Sequence, residues 1–153
     1  MDNVDIRKGR KEDINDIRNV IYESVMATHT ELYPPKDIQE TLDNYTEEKV
    51  NHYIQDYDYF VAVCDSKVVG CVLVKENKMR SLYVLPSFMR KGIGKKLVKE
   101  AEMCVKSNDY DDIFLWSSLV SHDFYIHMGY EDVREIENKE GLILHIEMRK
   151  KLF

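Results

Sequence analysis

The chain contains little cysteine, proline or glycine. Its 153 residues include three cysteines, three prolines and six glycines. The cysteines Cys64, Cys71 and Cys104 are odd in number and form no C-x-x-C pair, so they indicate neither a disulfide framework nor a zinc site. We therefore expect a reduced, cytoplasmic protein that holds no metal.

Long apolar runs and linker-like segments are also missing. The longest apolar stretch, residues 68–74 with their glycine, is too short to cross a membrane. The N-terminal residues Met1–Asp5 are acidic and polar, unlike a secretory signal. A hydrophobic share of 44% suffices for a folded core. We expect a single domain over residues 1–153 with no membrane association.

Basic residues are outnumbered by acidic ones, 22 to 28, and one segment is rich in them. The formal net charge is −6, which argues against general nucleic-acid binding. Residues 76–99 carry seven basic side chains and one acidic one, a net +6, so the remaining residues sum to −12. We call these seven the basic island: Lys78, Arg80, Arg90, Lys91, Lys95, Lys96 and Lys99. Such an island either binds a polyanion locally or forms a solvated helix face, and charge alone does not decide between the two.

Hydrophobic spacing predicts helices and strands along the whole chain. The predicted strands are 4–7, 59–63, 68–75, 79–85, 112–116, 130–137 and 142–148, and the predicted helices are 12–27, one or two within 38–42 and 47–54, then 92–105 and 121–128. Thr46 is suited to cap the helix at 47–54. The apolar run Ile113–Trp116 predicts a central strand with Trp116 in the core. The fold class is α/β, a mixed central sheet of about seven strands flanked by about four helices.

The most informative segment is a strand, loop and helix over residues 82–95. Gly92 and Gly94 stand where the loop enters the helix. Glycine lets the backbone approach a ligand closely, and the first helical turn has unpaired N–H groups at the positive end of the helix dipole. These features predict an anion cradle suited to phosphate. Three cations are placed to add charge-assisted contacts: Arg90, Lys91 and Lys95.

Two common phosphate-binding motifs do not fit this segment. A P-loop requires G-x-x-x-x-G-K-[ST], but Met89 stands at its first glycine and Lys96 at its Ser/Thr position. A dinucleotide fingerprint requires three glycines, ideally in the first βα unit. Here two glycines occur late in the chain.

Two motifs together give the chain a resemblance to a known family. Met89-Arg90-Lys91-Gly92-Ile93-Gly94 resembles the Q/R-x-x-G-x-G/A motif of the GCN5-related N-acetyltransferases (the GNAT family), with methionine at the first position. The stretch from Ser118 to Tyr130 resembles the family's N-x-x-A-x-x-F-Y-x-x-x-G-F/Y pattern, with Ser118 and Ser121 at the Asn and Ala positions. The motifs occur in the family's order, separated by one helix and one strand. The resemblance covers the whole chain and implies the GNAT fold.

The resemblance also implies a cosubstrate and its binding residues. Acetyl-CoA would bind with its diphosphate on backbone N–H groups of the loop, and the β-strand before the loop would offer backbone groups to the pantetheine arm. The two serines would hydrogen-bond the cosubstrate with less reach than asparagine. The implied binding residues are Leu82, Tyr83, Val84, Met89, Arg90, Lys91, Gly92, Ile93, Gly94, Lys95, Ser118, Ser121 and Phe124.

Direct acetyl transfer to an amine requires a base for the amine and a proton donor for the departing thiolate. The resemblance implies that Tyr125 is the general acid, and the alternative is that its ring only packs on the sheet. The residues alone do not identify the base. The candidates are Glu23, His29, Glu31, Glu76, His122 and Asp123, or a water molecule.

The function implied by the resemblance is transfer of acetyl from acetyl-CoA to a primary amine. The acidic remainder of the chain favours a cationic acceptor such as a polyamine, an amino sugar or a lysine side chain. The resemblance is also consistent with a homodimer formed through the last strands. Two other functions remain open: a non-catalytic acetyl-CoA sensor, suggested by the replacements Met89, Ser118 and Ser121, and a plain interaction domain.

Overall fold

The structure, a computed structural model, describes residues 3–153. Met1 and Asp2, the first residues of the N-terminal segment discussed above, lie outside the described residues. The described strands are β1 (Val4–Lys8), β2 (Asp58–Cys64), β3 (Lys67–Lys75), β4 (Lys78–Val84), β5 (Asp112–Ser118), β6 (Glu131–Glu137) and β7 (Ile143–Lys151). The helices are α1 (Ile14–Thr28), α2 (Pro35–Asp43), α3 (Glu47–Asp56), α4 (Ile93–Ser107) and α5 (His122–His127).

The predicted order of strands and helices is confirmed, with shifts at the element ends. Of the one or two helices predicted after α1, the structure has two, since α2 ends at Asp43 and α3 begins at Glu47. Thr46 caps α3, since the Lys49 backbone N–H donates to its hydroxyl oxygen over 3.2 Å. Within residues 3–153, no helix combines the length and apolar character needed to cross a membrane.

The seven described strands form one mixed sheet in the order β1-β2-β3-β4-β5-β7-β6. Every neighbouring pair is antiparallel except β4 and β5, which run parallel. The last strand in sequence, β7, lies between β5 and β6. The middle of β3 is fully buried because α1 and α4 both pack on it. A strand that is covered on both faces has a nearly continuous run of apolar residues, as β3 does.

The parallel pair in the centre of the sheet separates after two residues. Lys78 pairs with Phe114 and Met79 pairs with Leu115, and the pairing ends there. β4 then bulges, with two residues opposite one of β3 and a positive φ of 58° at Ser81. A bulge bends its strand and increases the local twist. β4 therefore stays with β3 while β5 stays with β7, and a wedge opens between them.

The wedge overturns the prediction that Trp116 belongs to the core. Along β5, Ile113 and Leu115 are buried, but Trp116 is 42% exposed. The indole lies beyond the last β4–β5 pair, so no neighbouring strand covers it on that side. Its N–H donates to Glu147 over 3.2 Å, and the Lys78 ammonium lies 4.0 Å from the ring centroid.

Candidate active site

A cavity of about 620 Å³ fills the wedge between β4 and β5. This volume is ordinary for a small-molecule site. Residues of α1, α2, β4, α4, β5, α5 and β7 line it. It brings together twelve of the residues singled out from sequence: Leu82, Tyr83, Val84, Met89, Arg90, Gly92, Gly94, Lys95, Ser118, Ser121, Phe124 and Tyr125.

Two predicted binding residues, Lys91 and Ile93, do not line this cavity. The Ile93 side chain is 2% exposed and packs on β3 at Gly70, where a Cβ would lie only 3.4 Å from Ile93 Cγ2. Glycine at position 70 thus allows α4 to approach the sheet closely. Lys91 is exposed, with its ammonium 5.2 Å from the Phe88 ring centroid. The Ile93 side chain therefore anchors the first turn of α4 in the core. The predicted contact of Ile93 with the cosubstrate would be made by its backbone N–H group.

The loop before α4 has an unusual backbone conformation. Arg90 has φ 61° and Gly92 has φ 82°, so left-handed residues stand on both sides of Lys91. Left-handed backbone is strained for arginine by about 1–3 kcal/mol, and such strain concentrates at functional sites. Alternation of this kind turns successive N–H groups towards one point and creates an anion-binding concavity. A Cβ at Gly92 would meet nothing within 4 Å, so glycine is required there by conformation rather than by space.

The first turn of α4 offers further donors to this concavity. The helix begins with the Lys96 N–H bonded to the Gly92 carbonyl oxygen over 3.1 Å. The N–H groups of Ile93, Gly94 and Lys95 precede that bond, and Gly92 supplies no side-chain cap. A helix of 15 residues also places the positive end of its dipole at this point.

The basic island forms no ion pairs among the described residues. Ion pairs occur elsewhere in residues 3–153, for example Arg7 with Asp13 at 2.8 Å and Lys150 with Glu102 at 3.0 Å. None of the seven island cations forms one. Cations that remain unpaired in a chain of net charge −6 leave a local positive potential around the cradle.

A buried tyrosine also lines the cavity. Tyr125 is 6% exposed and makes edge contacts with Phe124 and Tyr130, at centroid distances of 5.2 and 5.6 Å. Burial raises the pKa of its phenol well above the usual range, so the group is neutral at physiological pH. Phe124 in turn packs 3.4 Å from the position of a Cβ at Gly94, which connects α5 to the cradle.

The two serines of the second motif close the turn between β5 and α5. The Ser118 hydroxyl donates to the Ser121 hydroxyl oxygen over 3.3 Å and accepts from the Ser121 backbone N–H over 3.2 Å. Ser118 is therefore used within the turn, whereas the hydrogen of the Ser121 hydroxyl stays available to a ligand.

Comparison with known proteins identifies the family. The family described as "Acetyltransferase (GNAT) domain" matches residues 26–152. The chain belongs to the GNAT family. The resemblance carried by the two motifs is thereby confirmed.

Individual relatives of this GNAT chain agree with that assignment. An uncharacterised N-acetyltransferase of Chlorobaculum tepidum is 34% identical over 83 residues, and this match spans about half of each protein, 51% of this chain and 52% of the relative. A spermidine N(1)-acetyltransferase of Thermoplasma acidophilum is 26% identical over 152 residues, which are 90% of this chain and 92% of that protein. The crystal structure of PaiA N-acetyltransferase from Thermoplasma acidophilum in complex with coenzyme A matches with a TM-score of 0.81 and 26% identity, over 97% of this chain and 99% of that one. The predicted GNAT fold is confirmed.

Of the six candidate bases, only His29 lines the cavity of this GNAT chain. Glu23 and Glu31 are exposed, and Glu76 lies in the exposed turn between β3 and β4. The carboxylate of Asp123 is 97% exposed, and His122 is held by Asp132 at 2.7 Å.

Sequence reasoning missed several residues that line the cavity, among them Tyr33, Asp37, Glu40 and His145. The Tyr33 hydroxyl donates to the Leu144 carbonyl oxygen and accepts from the Leu119 N–H, both over 2.8 Å. It thereby ties the loop after α1 to β7 and to the end of β5. His145 is opposite Ser118 in the β5–β7 register. Alternation along β7 could have shown which residues share a face, but not that β7 lies beside β5.

Proposed function

We propose that the protein transfers the acetyl group of acetyl-CoA directly to a primary amine. The observation that carries the proposal is the cradle of unpaired N–H groups and unpaired cations at the mouth of a cavity that also contains Tyr125. Membership of the GNAT family and the coenzyme A complex of a relative 26% identical support the same cosubstrate.

The cradle residues fit a diphosphate. Backbone N–H groups of Gly92, Ile93 and Gly94 would hold its oxygens, because they lie at the positive end of α4 without other partners. Arg90 and Lys95 line the same cavity and carry no competing ion pair in residues 3–153. Their side chains would add charge-assisted hydrogen bonds.

The pantetheine arm is proposed to run along the free edge of β4. Beyond Met79 this edge has no strand partner. Because successive residues of a strand direct their backbone groups to opposite edges, Leu82 and Val84 present theirs to the free edge, while Tyr83 pairs with Cys71 of β3. Phe124 and Ser121 line the same cavity. The arm would then lead from the cradle towards Tyr125.

Tyr125 is proposed as the proton donor to the leaving sulfur. As the new carbon–nitrogen bond forms, the carbon–sulfur bond breaks and its electron pair remains on sulfur. The Tyr125 phenol is protonated throughout the physiological range, since burial only raises its pKa, and its O–H hydrogen is proposed to pass to that thiolate.

The acceptor is proposed to be a small cationic amine of the polyamine class. Asp37 and Glu40 of α2 line the cavity and would attract such a cation. The relative named spermidine N(1)-acetyltransferase, which aligns over 90% of this chain, supports the same class. Amino sugars and lysine peptides are the alternatives that an acceptor panel separates.

The test measures release of coenzyme A from acetyl-CoA with a panel of polyamines, amino sugars and lysine peptides. Tyr125→Phe should lower kcat by about 100-fold or more while leaving the KM for acetyl-CoA nearly unchanged. Tyr110→Phe is the matched control, because Tyr110 is exposed and does not line the cavity. Folded wild-type protein that releases no coenzyme A with any amine would contradict the proposal.

A non-catalytic sensor of acetyl-CoA is the second candidate. It is favoured by Met89, Ser118 and Ser121, which replace residues of the family motifs, and by the use of Ser118 within its own turn. A sensor would bind acetyl-CoA in calorimetry without turnover, and Tyr125→Phe would then leave binding unaltered.

A further inference from the structure

We propose that His29 is the general base that accepts the proton of the acceptor amine, an inference that rests on the proposed function. Its imidazole lies at the C-terminal end of α1 and lines the cavity. The acidic residues of α2 that would attract the amine, Asp37 and Glu40, line the same cavity.

The neighbouring threonine determines which ring nitrogen carries hydrogen. The Thr28 hydroxyl donates its single hydrogen to the Ser24 carbonyl oxygen over 2.7 Å. The Thr28 oxygen also lies 2.8 Å from His29 Nδ1, and with its hydrogen already used it can only accept there. Nδ1 therefore carries the hydrogen in the neutral ring, and Nε2 carries the lone pair. Nε2 is the nitrogen of a base, and no residue of the described chain donates to it.

A second contact fixes the plane of the ring. His29 stacks on Tyr33 with a centroid distance of 5.2 Å and an interplanar angle of 21°. Tyr33 is itself held by hydrogen bonds to Leu144 and Leu119. The imidazole is thus held at Nδ1 and along one face, which is the support that a catalytic group needs for a defined orientation.

The surroundings favour the neutral form of the ring. Burial lowers the pKa of His29, and the electrostatic effect of His145 lowers it further. Burial likewise lowers the pKa of His145, and Lys78 adds to that shift. The ring stacks on Tyr33 of the same loop and is electrostatically coupled to His145 of β7. Three further charged groups line the same cavity, namely Asp37 and Glu40 of α2 and Arg80 of β4.

Every proton in the acetyl-transfer step is accounted for. The acceptor ammonium first releases one proton to solvent, and the neutral amine is the species that attacks. As the amine nitrogen bonds to the acetyl carbon, it loses a second proton to His29 Nε2, and the ring becomes an imidazolium. The carbon–sulfur bond breaks, and sulfur takes a proton from the Tyr125 phenol. His29 then releases its proton to solvent and Tyr125 regains one from solvent, so the products are the N-acetylated amine and coenzyme A.

The first measurement tests the tautomer on the protein without substrates. Long-range ¹H–¹⁵N correlation NMR above pH 7 should show His29 as the Nδ1–H form with an unprotonated Nε2. Thr28→Val removes the oxygen that accepts from Nδ1 and should give a mixture of the two tautomers. Thr28→Ser retains that oxygen and should restore the single form. An Nε2–H tautomer in the wild type would overturn the inference whether or not any amine is acetylated.

The second measurement is the pH profile of kcat/KM with the best acceptor of the panel. A base must be deprotonated, so kcat/KM calculated on the concentration of neutral amine should rise with pH through a pKa below 6.5, the usual value for histidine, and then level off. His29→Gln should lower the plateau about 100-fold and remove this acid limb. Thr28→Val should lower kcat about tenfold with little change in KM, and Thr28→Ser should restore it.

His52→Gln is the matched control, because His52 is an exposed histidine of α3 that does not line the cavity. If the wild type acetylates an amine and His29→Gln keeps both the full rate and the acid limb, His29 is not the base. The proposed function would then still stand. The role of His29 would equally be overturned if the acid limb disappeared in His145→Gln and persisted in His29→Gln. A wild type that acetylates no amine would overturn the proposed function and the base role together.

Discussion

At the residue scale, the cradle depends on backbone angles more than on side-chain identity. The family motif has Gln or Arg where this chain has Met89, yet the anion-binding features lie in φ of 61° at Arg90 and 82° at Gly92. The glycine at position 92 was interpretable from sequence, because only glycine adopts that conformation without strain. The left-handed Arg90 was not, because nothing local in the sequence marks a strained arginine.

Gly92→Ala tests the backbone requirement directly. Alanine in a left-handed conformation costs about 1–2 kcal/mol, so the loop should relax and the affinity for coenzyme A should fall about tenfold. Gly141→Ala is the matched control, since Gly141 has φ 80°, open space around it and no place in the cavity. Denaturant unfolding should show similar destabilisation of both variants, and calorimetry should show weaker binding for Gly92→Ala alone. Equal affinities would contradict the account of the cradle.

At the element scale, the periodicity of the chain predicted which strands and helices exist, but not which strands are neighbours. Trp116 follows three apolar residues and therefore looks like a core residue, yet it lies where β4 has already left β5. His145 meets Ser118 only because β7 inserts between β5 and β6. Both facts are nonlocal, so no window of sequence contains them.

The loop after α1 is held across the site by one hydroxyl. Tyr33→Phe removes both hydrogen bonds of that hydroxyl, to Leu144 and from Leu119, and leaves a backbone N–H and a carbonyl without their partner. We expect a loss of about 1–3 kcal/mol in the free energy of unfolding. The Leu119 amide should also exchange faster with solvent.

Tyr22→Phe serves as the reference for that experiment, because the Tyr22 ring is 50% exposed on α1. Urea unfolding and native-state hydrogen exchange together give both quantities. An unchanged exchange rate at Leu119 in Tyr33→Phe would show that the loop is held by other contacts.

At the scale of the whole molecule, charge is distributed to suit an anionic cosubstrate and a cationic acceptor. The chain has a net charge of −6, yet its basic island has no ion pair in the described residues. Composition indicated the island, and only the structure shows which of its members line the cavity. Arg80, Arg90 and Lys95 do so, whereas Lys78, Lys91, Lys96 and Lys99 do not. Coordinates were needed because lysines on one helix face different directions.

The most direct test of the account compares two ligands that share the thioester arm and differ in the nucleotide diphosphate attached to it. Wild-type protein is titrated with acetyl-CoA and with S-acetylpantetheine, which carries the same thioester arm without the diphosphate and its nucleoside, and unfolding is followed at each concentration. Acetyl-CoA at about 100 times its Kd should stabilise the folded state by about 2.7 kcal/mol, whereas S-acetylpantetheine at the same concentration should have little effect. Equal stabilisation by the two ligands, or none by either, would contradict the claim that the amides around Gly92 and Gly94 hold a diphosphate.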